Sequence, residues 1–228
     1  PMWESIFGEE SDPVVSPENL DPDLATQVES GQMKPKDAIT IQDQRRRHLE
    51  GQESGLRDDF MKEISPDRQV LESWDAMKDI TPAQIAGEDG GKIDGELIKR
   101  YSKMILPREA VMSDDVRIVM DQNRSVLESY LKRLANGESL DKTERLEILR
   151  RMQELANVAL ERYQKTAGSY SEQSALYPGM DQRRVISWSP NEFYEHPALV
   201  QAQKEEEKNV VNERIQQRIK ARQEQTAA

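Results

Sequence analysis

The 228-residue sequence contains no cysteine, which excludes disulfides, thiolate metal sites and cysteine nucleophiles. Histidine is nearly as scarce: His48 and His196 are the only two, about 150 positions apart, and neither has an obvious catalytic or metal-binding partner beside it. Leu, Ile, Val and Phe together number 47, about 21% of the chain, close to the roughly 20% level below which charged sequences tend to be disordered. One modest core is the most that this can support. No apolar run approaches the roughly 18 residues needed to span a bilayer. The start of the chain is acidic where a signal peptide would be basic, so the sequence reads as soluble, with no transmembrane segment. Phosphate-cradling glycine loops are missing too: nothing matches a P-loop or a dinucleotide fingerprint, and the strand–helix alternation they need is absent. No cofactor is expected.

Acidic side chains, in contrast, are plentiful. The 43 Asp and Glu outnumber 32 Lys and Arg, giving a formal charge of −11 and a pI near 4.9. Nucleic-acid binding rests on cations that neutralise phosphates, so this balance argues against it, and no sequence-specific nucleic-acid binding is expected. The charge is unevenly placed: residues 1–33 hold eight carboxylates and no Lys or Arg, which leaves only −3 for the rest. Pro13, Pro17, Pro22 and Pro35 interrupt this stretch. Residues 1–64 lack useful periodicity and are predicted to be an extended acidic N-terminal arm, with short helical turns such as 22–27. Arg45, Arg46 and Arg47 are expected on an exposed charged turn of helix. Trp3, Ile6 and Phe7 are large apolar groups that a purely solvating tail would not need, and they are the first candidate partner-binding residues.

From Ser65 the punctuation changes to helix starts. Ser65-Pro66 reads as an N-cap followed by a first-turn proline, with Val70, Leu71, Trp74 and Met77 as the stripe that follows. Thr81-Pro82-Ala83-Gln84 is a capping-box pattern that ends by Gly87. The stretch 88–96 has glycine at a calcium-loop position, but Ala86 and Leu97 would fall at the first and twelfth ligand positions, where neither side chain can coordinate. It is read as a turn, then a helix capped by Asp94, with Leu97, Ile98, Tyr101, Met104 and Ile105 buried and Pro107 as its end. Ser113 can cap a helix carrying Val116, Val119, Met120, Leu127, Tyr130, Leu131 and Leu134, stopped by Asn136-Gly137. Asp141-Lys142-Thr143-Glu144 caps the next, which holds Leu146, Leu149, Met152, Leu155, Ala156, Ala159, Leu160, Tyr163 and Ala167 and runs to about Ala175.

The short link between these two amphipathic helices predicts an antiparallel hairpin as the core. Tyr177-Pro178-Gly179 is a turn, Val185-Ile186 is expected to return and seal the hairpin's open end, and Ser189-Pro190-Asn191-Glu192 reads as a capping box opening a very short helix. A helix from Pro197 to about Gln225 carries few apolar residues, and its sparse stripe is expected to dock on another chain. Val210, Val211, Ile215 and Ile219 are the second set of candidate partner-binding residues. The fold class is thus mainly α: a central antiparallel helical hairpin with short accessory helices, an extended N-terminal arm and a long C-terminal helix. The boundaries are 1–64 for the arm, 65–186 for the helical core with its hairpin at 114–175, and 187–228 for the C-terminal helical arm.

Chemistry is thin. Among so many exposed carboxylates, chance pairs are certain and carry no information. Glu53-Ser54-Gly55-Leu56 resembles the segment around the catalytic glutamate of lysozyme-like lytic transglycosylases, whose acid would work on a glycosidic bond. The Gly-rich, Met-Gln-containing segment and the aromatic motifs that build the sugar groove in that family do not follow. Arg57-Asp58-Asp59-Phe60 comes instead, and Glu53 is read as part of a solvated loop.

The run Leu134-Ala135-Asn136-Gly137-Glu138-Ser139-Leu140-Asp141-Lys142-Thr143-Glu144-Arg145, the helix with Tyr163, then Tyr170 and Gly179-Met180-Asp181-Gln182-Arg183-Arg184-Val185-Ile186 resembles a module of tailed-bacteriophage virion proteins. These include internal or ejection proteins, which leave the particle with the DNA. The resemblance covers about residues 126–186 and carries no catalytic residue. It implies a non-enzymatic structural protein inside the virion or at its head–tail vertex, near the portal, which assembles as a homo-oligomer with other virion proteins. It further implies help in genome delivery and contact with the host envelope after ejection. A scaffolding protein for capsid assembly is the alternative within the same class, followed by a tail-associated or head-completion protein.

Overall fold

The computed structural model describes residues 20–87, 91–105 and 114–227, with the side chains of 91, 114–122 and 220–227 left aside. Trp3, Ile6, Phe7, Pro107 and Ser113, the turn expected at 88–90, and the side chains of Val116, Val119 and Met120 lie outside the described residues. Everything regular among the described residues is helical: α1 (Pro22–Glu29), α2 (Pro35–Glu63), α3 (Ser65–Asp75), a 3-10 turn (Ala76–Asp79), α4 (Pro82–Ala86), α5 (Gly91–Ile105), α6 (Asp114–Ala135), α7 (Lys142–Ala175), α8 (Gln182–Val185) and α9 (Pro197–Ala227). No described helix is long and apolar enough to cross a membrane. The chain is therefore mainly α with a long C-terminal helix, as the sequence predicts.

Two compact units share the chain. The smaller combines 20–60 with 169–187. Here the expectation of an extended arm over 1–64 is corrected for its described part, because α1 and α2 together take up most of 22–63. The stripe on α2 was hidden by polar insertions: Ala38 and Phe60 are buried and Leu49 and Leu56 half-buried, but Gln42, Gln52 and Glu53 occupy the same face between them. Such a helix forms through its partners rather than through its own periodicity. Phe60 meets Tyr170 edge-on at 5.5 Å between ring centroids. Arg45 forks onto Asp23 at 2.9 and 3.1 Å and also reaches Asp21 at 3.3 Å, so the basic triplet does sit on an exposed helix and ties α1 to α2. α1 itself stops at Gly31, whose φ of +71° lets Gly31 N–H donate to Val28 O and Gln32 N–H to Gln27 O, closing off the last carbonyls.

The larger unit combines 61–168 with 188–228. Its centre is α5 as much as the hairpin: Leu97, Tyr101 and Met104 are fully buried, and α5 packs against both α3 and α6. The α3 stripe behaves as expected, with Val70, Leu71, Trp74 and Met77 all buried. The side-chain contacts between α6 and α7 run in antiparallel order. Asn123 meets Arg151, Tyr130 lies near Glu144 and Glu147, and Arg133 bonds Glu144. Ile148, Leu149 and Met152 supply the buried side of α7.

Four local expectations are corrected. Leu131 is 45% exposed rather than core, although Leu127, one turn earlier on the same face of α6, is buried: the cover ends between them. Ser65 does not cap α3: Ile64 occupies that position with helical φ and ψ, its carbonyl accepts from Arg68 N at 2.8 Å, and its side chain is fully buried. Asp94 lies within the first turn of α5, not at its cap, and its carboxylate is used elsewhere. Ser189-Pro190-Asn191-Glu192 opens no helix; residues 187–196 form an irregular segment whose aromatic rings pack against α3.

Candidate functional site

Three places hold the side chains from which function can be argued. The first is the loop joining α6 to α7. Gly137, at φ +79°, ends α6 by letting its N–H bond Leu134 O while Glu138 N–H bonds Arg133 O. Asp141 and Glu144 then cap α7 reciprocally, each carboxylate accepting the other's backbone N–H, at 2.9 and 3.0 Å. Just before Asp141, Leu140 is buried, and its N–H donates to Asp94 Oδ2 at 3.0 Å.

The next residue of that motif, Arg145, is 2% exposed and faces Asp94, which is 0% exposed. Its Nε donates to Asp94 Oδ1 at 2.7 Å, while another guanidinium nitrogen donates to the carbonyls of Gly87 and Ile85 at 2.6 and 3.2 Å. This pair is fully furnished with partners, and it clamps the α6–α7 loop to the start of α5 and the end of α4. Sequence reading named Asp94 only as a cap and passed over Arg145 as a partner. Fifty-one residues separate the two, so no local signal joins them.

The second place is the docking of the irregular 188–196 segment on α3. Trp74, 2% exposed, stacks on Tyr194 and Phe193 at centroid distances of 5.4 and 6.3 Å, and Tyr194 Oη donates to Trp74 O at 2.9 Å. Asn191 Nδ2 donates to Asp75 Oδ2 at 2.8 Å. His196 is wholly buried. Its Nε2 lies 3.1 Å from Met77 O and its Nδ1 accepts from Ala198 N–H at 3.2 Å, an arrangement met only by the neutral ring protonated on Nε2. Burial lowers its pKa below the usual 6.5, against the opposing effect of the Met77 and Ile80 backbone contacts. The aromatic density of 188–196 was the signal available in the sequence; the capping-box pattern inside it pointed the other way.

The third place is α9. Its first turns are held: Ala198 and Ala202 are buried, and Lys142 and Arg150 pair with Glu205 and Glu206 at 3.0 and 2.9 Å. Beyond Glu206 every described side chain is exposed. Val210, Val211, Ile215 and Ile219 stand at 47, 53, 47 and 44% exposure, with 211, 215 and 219 in line along one face at four-residue spacing. The structure thus brings together the second set of candidate partner-binding residues on an uncovered stripe.

Glu53 lies on α2, not in a loop, and its carboxylate stands 3.6 Å from the guanidinium of Arg184. Asp67 is the one described carboxyl pushed strongly upward, to about 6, by burial, which outweighs Arg162 at 3.5 Å and is reinforced by Glu63. No group of three or more His, Asp or Glu among the described residues is placed to hold a metal ion. Comparison with protein-family models, with curated proteins and with solved structures finds no match to this chain.

Proposed function

We propose that the chain is a non-enzymatic structural component of a tailed-bacteriophage virion, an internal or ejection protein near the portal and head–tail vertex that assembles as an oligomer and assists genome delivery. The observation that carries this reading is the uncovered stripe of α9. Four half-exposed β-branched side chains at Val210, Val211, Ile215 and Ile219 would each gain about 1 kcal/mol on full burial, and among the described residues none covers α9 beyond Glu206, so a second chain is the cover this reading assigns.

The resemblance over 126–186 adds the class of assembly. Its motif residues serve the architecture: Gly137 and Gly179 adopt positive φ, Leu140 and Val185 are buried, Asp141 and Glu144 cap α7, and Arg145 is locked to Asp94. None of them is left for chemistry, which fits a structural role.

The test is mass spectrometry of purified mature particles and of procapsids of the encoding phage. The reading expects the chain in mature particles and its loss on DNA release. Absence from mature particles overturns it, and presence in procapsids alone would instead identify a scaffolding protein.

A further inference from the structure

Between α3 and the irregular segment 188–194 lies a cleft of about 290 Å³, at the small end of ligand sites. Rings of Trp74, Trp188, Phe193 and Tyr194 line it. The charged residues on its wall are all carboxylates: Glu72, Asp75 and Glu192. Glu72 is bonded to Arg68 and Asp75 to Lys78, whereas exposed Glu192 has no ion-pair partner among the described residues. The cleft is therefore aromatic, with the Glu192 carboxylate alone left without a cation among the described residues.

Two further observations define what would fill it. Trp74 is 2% exposed, yet its indole Nε1 has no hydrogen-bond partner. An unpaired buried donor is costly, and a ligand that brought an acceptor would recover that cost. The rings, for their part, already attract cations: the Arg68 guanidinium sits 5.6 Å from the Trp188 ring and the Lys78 ammonium 5.0 Å from the Tyr194 ring. Phe193 and Tyr194 stack on Trp74, at 20° and 21°, so the cluster offers flat outer ring faces, which a planar cation covers better than a round one.

We infer that this cleft is a recognition site for an arginine side chain on an extended peptide segment of a partner. The guanidinium enters among the rings and meets the Glu192 carboxylate, and a peptide carbonyl beside it accepts from Trp74 Nε1. Planarity and the two-pronged match to a carboxylate select arginine over lysine. The inference does not depend on the α9 stripe or on a virion setting, since it rests on a different face of the larger unit.

The experiment is a titration of the full-length, nitrogen-15-labelled protein with the blocked tripeptide Gly-Arg-Gly, followed through the indole N–H resonance of Trp74. That resonance is assigned among the three tryptophans with Trp74→Phe. The expected result is a saturable shift of the Trp74 signal, with affinity reduced about tenfold or more when citrulline replaces arginine or when Glu192→Gln removes the carboxylate. Glu192 is exposed, so this variant keeps the wild-type melting curve and reports on binding alone. An unmoved Trp74 signal overturns the inference. So does equal affinity for the citrulline or lysine peptide, or an unchanged affinity in Glu192→Gln.

Discussion

Replacing Arg145 by Met removes the cation from the Asp94 pair while keeping most of the side-chain volume. Asp94 would remain at 0% exposure with only the Leu140 N–H for a partner, and the carbonyls of Ile85 and Gly87 would each lose their guanidinium donor. Stripping one member from a buried pair costs about 3–5 kcal/mol, chiefly because the other charge is left uncompensated. Against a typical total of about 5–15 kcal/mol, that is a large fraction of the fold. Urea unfolding at neutral pH, followed by far-ultraviolet circular dichroism, reads the loss directly as a lower midpoint at unchanged slope. The double variant Asp94→Leu with Arg145→Met no longer buries a lone carboxylate, so it is expected to be more stable than Arg145→Met alone. A single variant within about 1 kcal/mol of wild type, or a double variant less stable than it, would refute the clamp.

Leu149→Ala is expected to cost about 2–5 kcal/mol, because the side chain is fully buried, whereas Leu131→Ala at 45% exposure should cost under about 1; thermal melts of the two separate the covered from the uncovered part of the hairpin. Asp67→Asn tests the raised carboxyl. Its folded pKa of about 6 exceeds the ordinary 3.8, so the native state holds an extra proton between those values, and the stability linked to it is lost as pH rises through about 6. The asparagine variant should then be more stable than wild type at pH 8 by up to about 3 kcal/mol, with the advantage gone below about pH 4. His196 acts in the opposite sense: with its pKa below 6.5, stability is lost as pH falls beneath that value, and His196→Gln should flatten this limb of the pH–stability curve.

The helices that sequence reading located best are those whose ends carry their own chemistry. Thr81 and Gln84 form the capping box they spell, α7 begins one residue after the Asp141 cap and ends at Ala175, and Gly137 stops α6. Local hydrogen bonds decide such ends, so local sequence reveals them. α2 was illegible because its buried face alternates Ala38, Leu49, Leu56 and Phe60 with glutamines and Glu53, and its order depends on partners distant in sequence such as Tyr170. The irregular 188–196 segment failed for the same reason in reverse: a good local cap lost to stacking of Tyr194 on Trp74, 120 residues away in sequence. Of the candidate partner-binding residues, the exposure of the α9 set was legible, because its stripe is too sparse to pack and no described residue covers it. The Asp94–Arg145 clamp and the Trp74 cleft were not, since both exist only once remote segments meet.

The central claim is that α9 is an assembly surface, and sedimentation equilibrium of the full chain beside its Val211→Asp, Ile215→Asp variant tests it most directly. Both substituted positions are exposed, so the variant is expected to fold like wild type by circular dichroism. The account predicts an oligomer for the wild-type chain and a monomer for the variant. A wild-type chain that stays monomeric at every concentration, or a variant that assembles as well as wild type, would contradict it.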